Sequence, residues 1–600
     1  LAHYYTPVGA HLGPDQICTF TVWAPFRKAV SLVVIAPLPA EYPMARDENG
    51  YWHYRMAATP TGLQYLYKLD NDLLRPDPAS RYQPGGVHGP SAVVQPAYPH
   101  WTDDDWRGLE LKDLVLYELH TGTFSPQRNF QGIIARLSYL EKLGVNAIEI
   151  MPVAQFSGTR NWGYDGVYPF AVQHNYGSVN GLKEVVNAAH KHGIAVILDV
   201  VYNHLGPEGN YFADFGPYFT SKYKTPWADA VNFDDAYCDA VRDYFLQNAL
   251  MWLDEFHIDG LRLDAVHAIW DCSARHFVAE LSEAVSVLER RLGRRKLLIA
   301  EIDYNAPRYI DPVEQGGYGL AGQWVDEFHH ALHTMLTGEL DGYYEDFNGI
   351  AHLAKAYKDN YVYTGQYSPH RKRRFGDLPR NHHYSDFIVF SQNHDQVGNR
   401  LLGDRLSATL DLPALKLAAA AYLLAPQTPM IFMGEEYGET KPFQFFTSHG
   451  DAELIAALRE GRRREFASFN WQGAVPDPQS ENTFYGSALS WEPNEALLEC
   501  YRSLIALRRN TPALQNQGPG CIAVEILNEK ALLLQRKLEE KPALFIYLNF
   551  SKDAINVTNV NGYTLNAVFT THTQPLPAEI AVHAGFQLPA MSASVFAVKE

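Results

Sequence analysis

Six hundred residues exceed what one hydrophobic core supports; at roughly 150 residues per domain, two to four domains are expected. Asp and Glu number 68 against 50 Lys and Arg, a formal charge of −18, which argues against a nucleic-acid backbone or an anionic membrane as partner. Hydrophobic residues at 46 % and charged residues at 20 % exclude wholesale disorder, and no apolar run reaches the ~18 residues of a membrane span.

The opening Leu1-Ala2-His3 has neither the basic nor the apolar region of a secretory signal. Five cysteines (Cys18, Cys238, Cys272, Cys500 and Cys521) lie far apart, with no disulfide or metal-ligand spacing. Both features point to a reducing cytoplasm.

Residues 1–100 read as β structure. Runs at 18–24, 29–35, 51–56 and 65–69 are β-branched or aromatic, with Gly and Pro between them, the pattern of a β-sandwich. A Pro- and Gly-rich stretch at 76–99 reads as a linker. Residues 101–515 change rhythm: short apolar runs alternate with amphipathic helical stretches such as 133–143 and 181–192. Strands are expected at 114–119, 147–153, 195–201, 261–266, 297–301, 323–328, 387–391 and 430–433. Eight βα units imply a parallel sheet closed into a (β/α)8 barrel, an α/β fold. Helical sequence at 497–509 ends before Pro512, and residues 516–600 return to strands at 531–537 and 543–550, with alternation up to Val598: a C-terminal all-β domain.

Reactive groups of such a barrel belong at the C-terminal ends of its strands. Those ends read Asp199-Val-Val-Tyr-Asn-His204, Gly260-Leu-Arg-Leu-Asp264, Ile299-Ala-Glu301 and Gln392-Asn-His-Asp395. Arg262 and Asp264 are two apart on a strand and so share a face. A guanidinium beside Asp264 keeps it ionised, as a nucleophile requires. Glu301 follows only apolar residues, so burial and nearby negative charge raise its pKa, as a general acid requires. Two carboxyls with split proton affinities are what glycoside hydrolysis needs, at about 5–5.5 Å for retention. Asp395 would be a third acid, stabilising an oxocarbenium-like centre, while His204 and His394 offer donors to sugar hydroxyls. The competing explanation, that these acids merely cap helices, accounts for neither Arg262 nor two histidines.

These four segments resemble the four short conserved regions of the α-amylase family, glycoside hydrolase family 13. The resemblance implies Asp264 as nucleophile, Glu301 as acid/base and Asp395 as transition-state stabiliser, with Asp199, His204, Arg262 and His394 around the donor sugar. Tyr164 in Asn161-Trp-Gly-Tyr-Asp-Gly166 resembles the family's stacking tyrosine, and Phe20-Thr-Val-Trp-Ala-Pro25 resembles the β-sandwich that precedes the barrel in branching and debranching members. Longer segments, Met151-Pro-Val-Ala-Gln-Phe156, Asp326-Glu-Phe-His-His-Ala-Leu-His333, His394-Asp-Gln-Val-Gly-Asn-Arg400 and Glu460-Gly-Arg-Arg-Arg-Glu465, resemble the branch that hydrolyses the α-1,4 bond beside the terminal trehalose of maltooligosyltrehalose. Ile302-Asp303 departs from that branch, where Ser-Asp is expected. Within the resemblance, Asp326 and Glu327 are expected on the acceptor side of the substrate.

The alternatives are a 1,4-α-glucan branching enzyme or another α-glucan hydrolase on the same fold, and a non-catalytic glucan-binding scaffold. The last would typically have lost one of the three acids, and all are present. The crowd of Glu327, His329, His330 and His333 lacks the His-Glu-x-x-His order of a metalloprotease, and 206–235 lacks the Asp/Asn density of a calcium loop. No metal and no cofactor are expected. Arg371-Lys-Arg-Arg374 reads as a solvated loop rather than a nucleic-acid patch. Trp162 and Trp227 suit either sugar stacking or packing. The expected partner is an α-glucan, with no nucleic acid and no membrane, and the chain is expected as a monomer or homodimer.

Overall fold

The computed structural model describes residues 6–70, 73–95, 97–466 and 474–599, with the side chains of 465 and 466 excluded. Leu1-Ala2-His3 and the Glu465 side chain therefore lie outside the described residues.

Eight parallel strands close into a barrel: β1 (Leu116–Leu119), β2 (Ala147–Ile150), β3 (Ala195–Val200), β4 (Gly260–Leu263), β5 (Leu297–Ala300), β6 (Gly322–Trp324), β7 (Phe387–Val389) and β8 (Thr428–Phe432). Neighbours pair in sequence order, and Leu116 opposite Met430 seals the ring. All these strand residues are buried. Helices on the outside cover one strand face and side chains fill the lumen, so the runs are mostly apolar on both faces, with single polar residues such as Glu118, Glu149, Asp199 and Arg262 among them. Because all strands run the same way, their C-terminal ends share one rim.

The outer helices bury one stripe each. Helix Ser178–Lys191 turns Val179, Leu182, Val185, Val186 and Ala189 inward, the spacing of a helical face. The helix expected over 133–143 is two shorter helices, Phe130–Ile134 and Leu137–Leu143. The Asn129 side chain caps the first by accepting from Gly132 N–H, and Gly144, at φ 98°, ends the second.

Strand β6 corrects the sequence expectation. It stops at Trp324, and Asp326 opens helix Asp326–Thr337. The apolar pair Trp324-Val325 reads as strand, but the two acids after it, in the first turn, suit the positive end of a helix.

Ahead of the barrel two antiparallel sheets are formed from Gly9–Leu12, Cys18–Trp23, Tyr51–Met56 and Ala45–Arg46, and from Ala40–Pro43, Val30–Ala36, Gln64–Leu69, Leu73–Arg75 and Ser91–Ala92. The stretch 76–99 is not a loose linker. Asp77 is fully buried and accepts from the Tyr65 and Tyr67 hydroxyls at 2.7 and 3.4 Å, and Ser91–Ala92 pairs with Gln64–Leu69. After the barrel, a six-stranded antiparallel sheet runs from Ile522–Asn528 to Ser592–Val598, with a two-stranded sheet beside it. Among the described residues no helix is long and apolar enough to cross a membrane.

Candidate active site

Arg262 is the centre of the rim. Its side chain is wholly buried. Nη1 donates to Asp199 Oδ1 and Oδ2 at 3.0 and 2.9 Å and to Asp264 Oδ1 at 2.8 Å. Nη2 lies 3.9 Å from Glu301 Oε2, and the guanidinium carbon sits 4.3 Å from the Trp324 ring centroid. Strands β3, β4 and β5 are adjacent, so one guanidinium reaches a carboxyl from each. An arginine is suited to this because its fork stays charged when dry.

Asp264 follows β4 directly. Asn203 Nδ2 donates to its carboxylate at 2.8 Å and to its carbonyl at 2.7 Å. Glu301 follows β5 and accepts from Ala265 N–H at 2.5 Å. Burial pushes the Glu301 carboxyl up; Arg262 opposes that, while Asp264, Asp395 and Asp326 add to it, and the result is about 8. Glu301 is thus a protonated acid at neutral pH.

Asp395 lies after β7, in the short helix His394–Gly398, where the Asn393 side chain accepts from the N–H groups of Asp395 and Gln396. Asn399 Nδ2 donates to Asp395 at 3.2 Å. At 43 % exposure this carboxyl is the most open of the three acids, against 13 % for Asp264 and 15 % for Glu301. The three acids expected from the sequence do gather at one rim.

Tyr164 and His394 stack at 5.3 Å between ring centroids. The His394 Nε2–H donates to the Tyr164 hydroxyl at 2.8 Å, and that hydroxyl donates to Asp199 at 2.6 Å. Burial would lower the His394 pKa, but the Asp395 and Glu118 carboxylates outweigh it and raise it to about 9. Burial pushes Asp199 up to about 6 against the pull of Arg262. His204 differs from expectation: one ring nitrogen meets the Tyr164 carbonyl at 3.0 Å and the other Asn203 at 2.5 Å. Neither histidine has a ring nitrogen left for a sugar in this structure.

Asp326 faces the rim. It accepts from Gln396 Nε2 at 3.0 Å, and burial followed by Asp303 and Asp395 raises it to about 7. Glu327 does not accompany it. It is 2 % exposed and accepts from the backbone N–H of Val362 and Tyr363, both at 2.8 Å. Consecutive helical residues point about 100° apart, so only one of the pair can look into the cleft. The neighbouring histidines are equally internal: His329 meets the Ser391 carbonyl and the Tyr344 hydroxyl, and His333 meets Glu339. Among the described residues no His/Cys/Asp/Glu group is arranged to hold a metal ion.

Arg371 also departs from the solvated loop expected. It packs 3.8 Å over the Phe375 ring, facing Glu327 and Asp346 at 3.8 and 3.6 Å. Trp162 is buried and stacked on Phe443, whereas Trp227 is 46 % exposed and lies flat against His204. Four residues escaped the sequence analysis: Glu118, Glu149, Asn203 and Trp324. A lone acid inside an apolar strand was the available signal for Glu118 and Glu149.

The catalytic domain of the alpha-amylase family matches residues 120–229, and carbohydrate-binding module 48, the isoamylase N-terminal domain, matches residues 7–80. A malto-oligosyltrehalose trehalohydrolase from Saccharolobus solfataricus is 47 % identical over 538 residues, covering 87 % of this chain and 93 % of its own. The chain belongs to the malto-oligosyltrehalose trehalohydrolase family, within the α-amylase family. A second trehalohydrolase of that name, from a Rhizobium species, is also 47 % identical, over 84 % of this chain and 87 % of its own. A crystal structure named as an alpha amylase from Salmonella typhimurium superposes with TM-score 0.89 at 35 % identity, covering 99 % of this chain and 100 % of that one. The Salmonella structure thus spans the sandwich, the barrel and the C-terminal sheet together.

Proposed function

We propose that the chain hydrolyses the α-1,4-glucosidic bond beside the terminal trehalose of maltooligosyltrehalose, releasing trehalose and a shorter maltooligosaccharide, by a retaining double displacement. The observation that carries the assignment of roles is the single Arg262 guanidinium flanked by Asp264 at 2.8 Å and Glu301 at 3.9 Å. It sets a carboxylate that accepts from the guanidinium beside a carboxyl that burial holds protonated.

In the first step Asp264 attacks the anomeric carbon while Glu301 gives its proton to O4 of the departing trehalose unit. Asp395, more open than the other two, supports positive charge on the sugar ring. Esterified Asp264 no longer carries a charge. The repulsion that helped hold the proton on Glu301 falls with it, so Glu301 becomes a better carboxylate for the second step. There it takes a proton from water, and the hydroxide oxygen displaces Asp264 from the sugar.

Five unpaired cysteines support a reducing cytosol as the place of this reaction. The test is product analysis with the intact chain and with Asp264→Asn and Glu301→Gln. Free trehalose from maltooligosyltrehalose, lost in both variants, is the expected result. Rearranged branching of amylose with no trehalose, or a variant with near-normal turnover, contradicts the proposal.

A further inference from the structure

The lumen below the three acids holds a buried ion pair that the proposed reaction does not use. Glu118 sits in β1, 1 % exposed. Its Oε2 accepts the backbone N–H of His394 at 3.0 Å, and its Oε1 accepts the Nδ1–H of the same residue in a short contact. We propose that Glu118 is a positioning residue for the hydrolysis, clamping His394 by backbone and ring together so that Tyr164 and Asp199 are held in register with Arg262. The inference rests on the active-site roles proposed above.

Along this row His394 and Arg262 each donate to both neighbours, and Asp199 accepts from both of its own. Glu118 accepts from His394, His394 Nε2–H donates to the Tyr164 hydroxyl, and Tyr164 donates to Asp199, which accepts from Arg262, itself the donor to Asp264. This order needs both ring nitrogens of His394 to carry hydrogen, which only the imidazolium does. With one proton removed, His394 keeps one donor for two acceptors. If Nδ1 keeps it, Nε2 accepts from Tyr164, and the Tyr164 hydroxyl turns away from Asp199.

The other groups facing His394 do not replace Glu118. Asp395 gives His394 its largest electrostatic support, but at 3.6 Å from Nε2 it makes no hydrogen bond to orient the ring. Glu149 of β2 is driven well up by burial and so stays neutral. Burial lowers His120 to about 3, leaving it uncharged. Arg262 of β4 opposes a positive His394, and Asp199 of β3 is committed to Arg262 and Tyr164. Trp162 and Trp324 present apolar rings at 5.5 and 6.1 Å between centroids.

The test is the pH dependence of kcat for the intact chain, Glu118→Gln and Glu118→Asp, each with a thermal melt. In the intact chain Glu301, at about 8, and His394, at about 9, both hold their protons at neutral pH, and their loss forms the alkaline limb. In Glu118→Gln, burial and Arg262 act on His394 against Asp395 alone, so the limb moves to lower pH, with kcat at pH 8 down about tenfold or more. Glu118→Asp keeps the charge on a shorter arm, so the limb stays and kcat falls several-fold. A folded Glu118→Gln with an unmoved limb, a loss equal at every pH, or a Glu118→Asp with full kcat overturns the inference. Failure of the underlying roles is a separate result: Asp264→Asn and Glu301→Gln would remain active.

Discussion

Around Arg262 the charge count is set by side chains that are largely buried. One guanidinium faces Asp199, Asp264 and Glu301, so three ionised carboxyls would leave excess negative charge in a dry site; a proton retained on Glu301 relieves it. Glu301 has a folded pKa near 8 against an ordinary 4.5. Its contribution to stability is whole below the ordinary value and is lost as pH rises through about 8. Glu301→Gln carries no such loss. Its melting temperature relative to the intact chain is therefore expected to climb from pH 5 to pH 8, as read by thermal melts across that window, and a constant difference would contradict the buried acid. At pH 7 the same variant should lose about 100-fold or more in kcat, since no general acid remains. Arg262→Met leaves Asp199 and Asp264 buried without a countercharge, and a cost of about 3–5 kcal/mol is expected in chemical denaturation. These acids were legible in the sequence because strand ends fix where side chains emerge. Glu118 and Glu149 were not: each is one polar residue in an apolar run, and its meaning depends on other strands that are remote in the chain.

Short elements around the rim aim these residues. Gly163 adopts φ +112°, and a Cβ there would lie 2.2 Å from the Pro152 carbonyl oxygen. The turn carrying Tyr164 thus admits glycine alone without shifting. Gly163→Ala is expected to lower kcat/KM about tenfold or more by displacing Tyr164, measured beside a melt that shows the barrel still folded. Helix Asp326–Thr337 divides its first two acids between cleft and interior, with Asp326 meeting Gln396 and Glu327 anchoring the backbone at Val362 and Tyr363. The sequence pattern could not separate them, because the apolar pair Trp324-Val325 just ahead of them reads as strand that runs on through both acids. The stretch 76–99 misled for a related reason. Proline and glycine mark a break in regular structure, not exposure, and Asp77 shows how irregular chain is buried when tyrosine hydroxyls satisfy it.

At the scale of the molecule, the flanking β structures are fastened to the barrel by buried arginines and ion pairs. Arg536, wholly buried in the C-terminal sheet, donates to the carbonyls of Leu424, Leu514 and Asn516. Within the barrel region, Arg508 donates in the same way to the carbonyls of Leu423, Ala425 and Gln427. On the other side Arg75 of the N-terminal sheets donates to Asp214 at 2.6 Å. Arg536→Met strands three buried carbonyls, so a loss of about 2–4 kcal/mol is expected with little change in kcat per folded molecule. A variant that lost kcat without losing stability would show that the C-terminal sheet acts on the rim directly. The order sandwich, barrel, β domain was legible from the change in hydrophobic rhythm. How the parts dock was not, since arginines bound to carbonyl oxygens leave no pattern in sequence.

The central claim, that Asp264 forms an ester with the glucosyl unit while Glu301 protonates trehalose, is tested most directly by following maltooligosyltrehalose hydrolysis with proton NMR before mutarotation sets in. Trehalose should appear together with a new reducing end that is initially the α anomer. An initial β anomer, or glucan shortening without trehalose, would contradict the account.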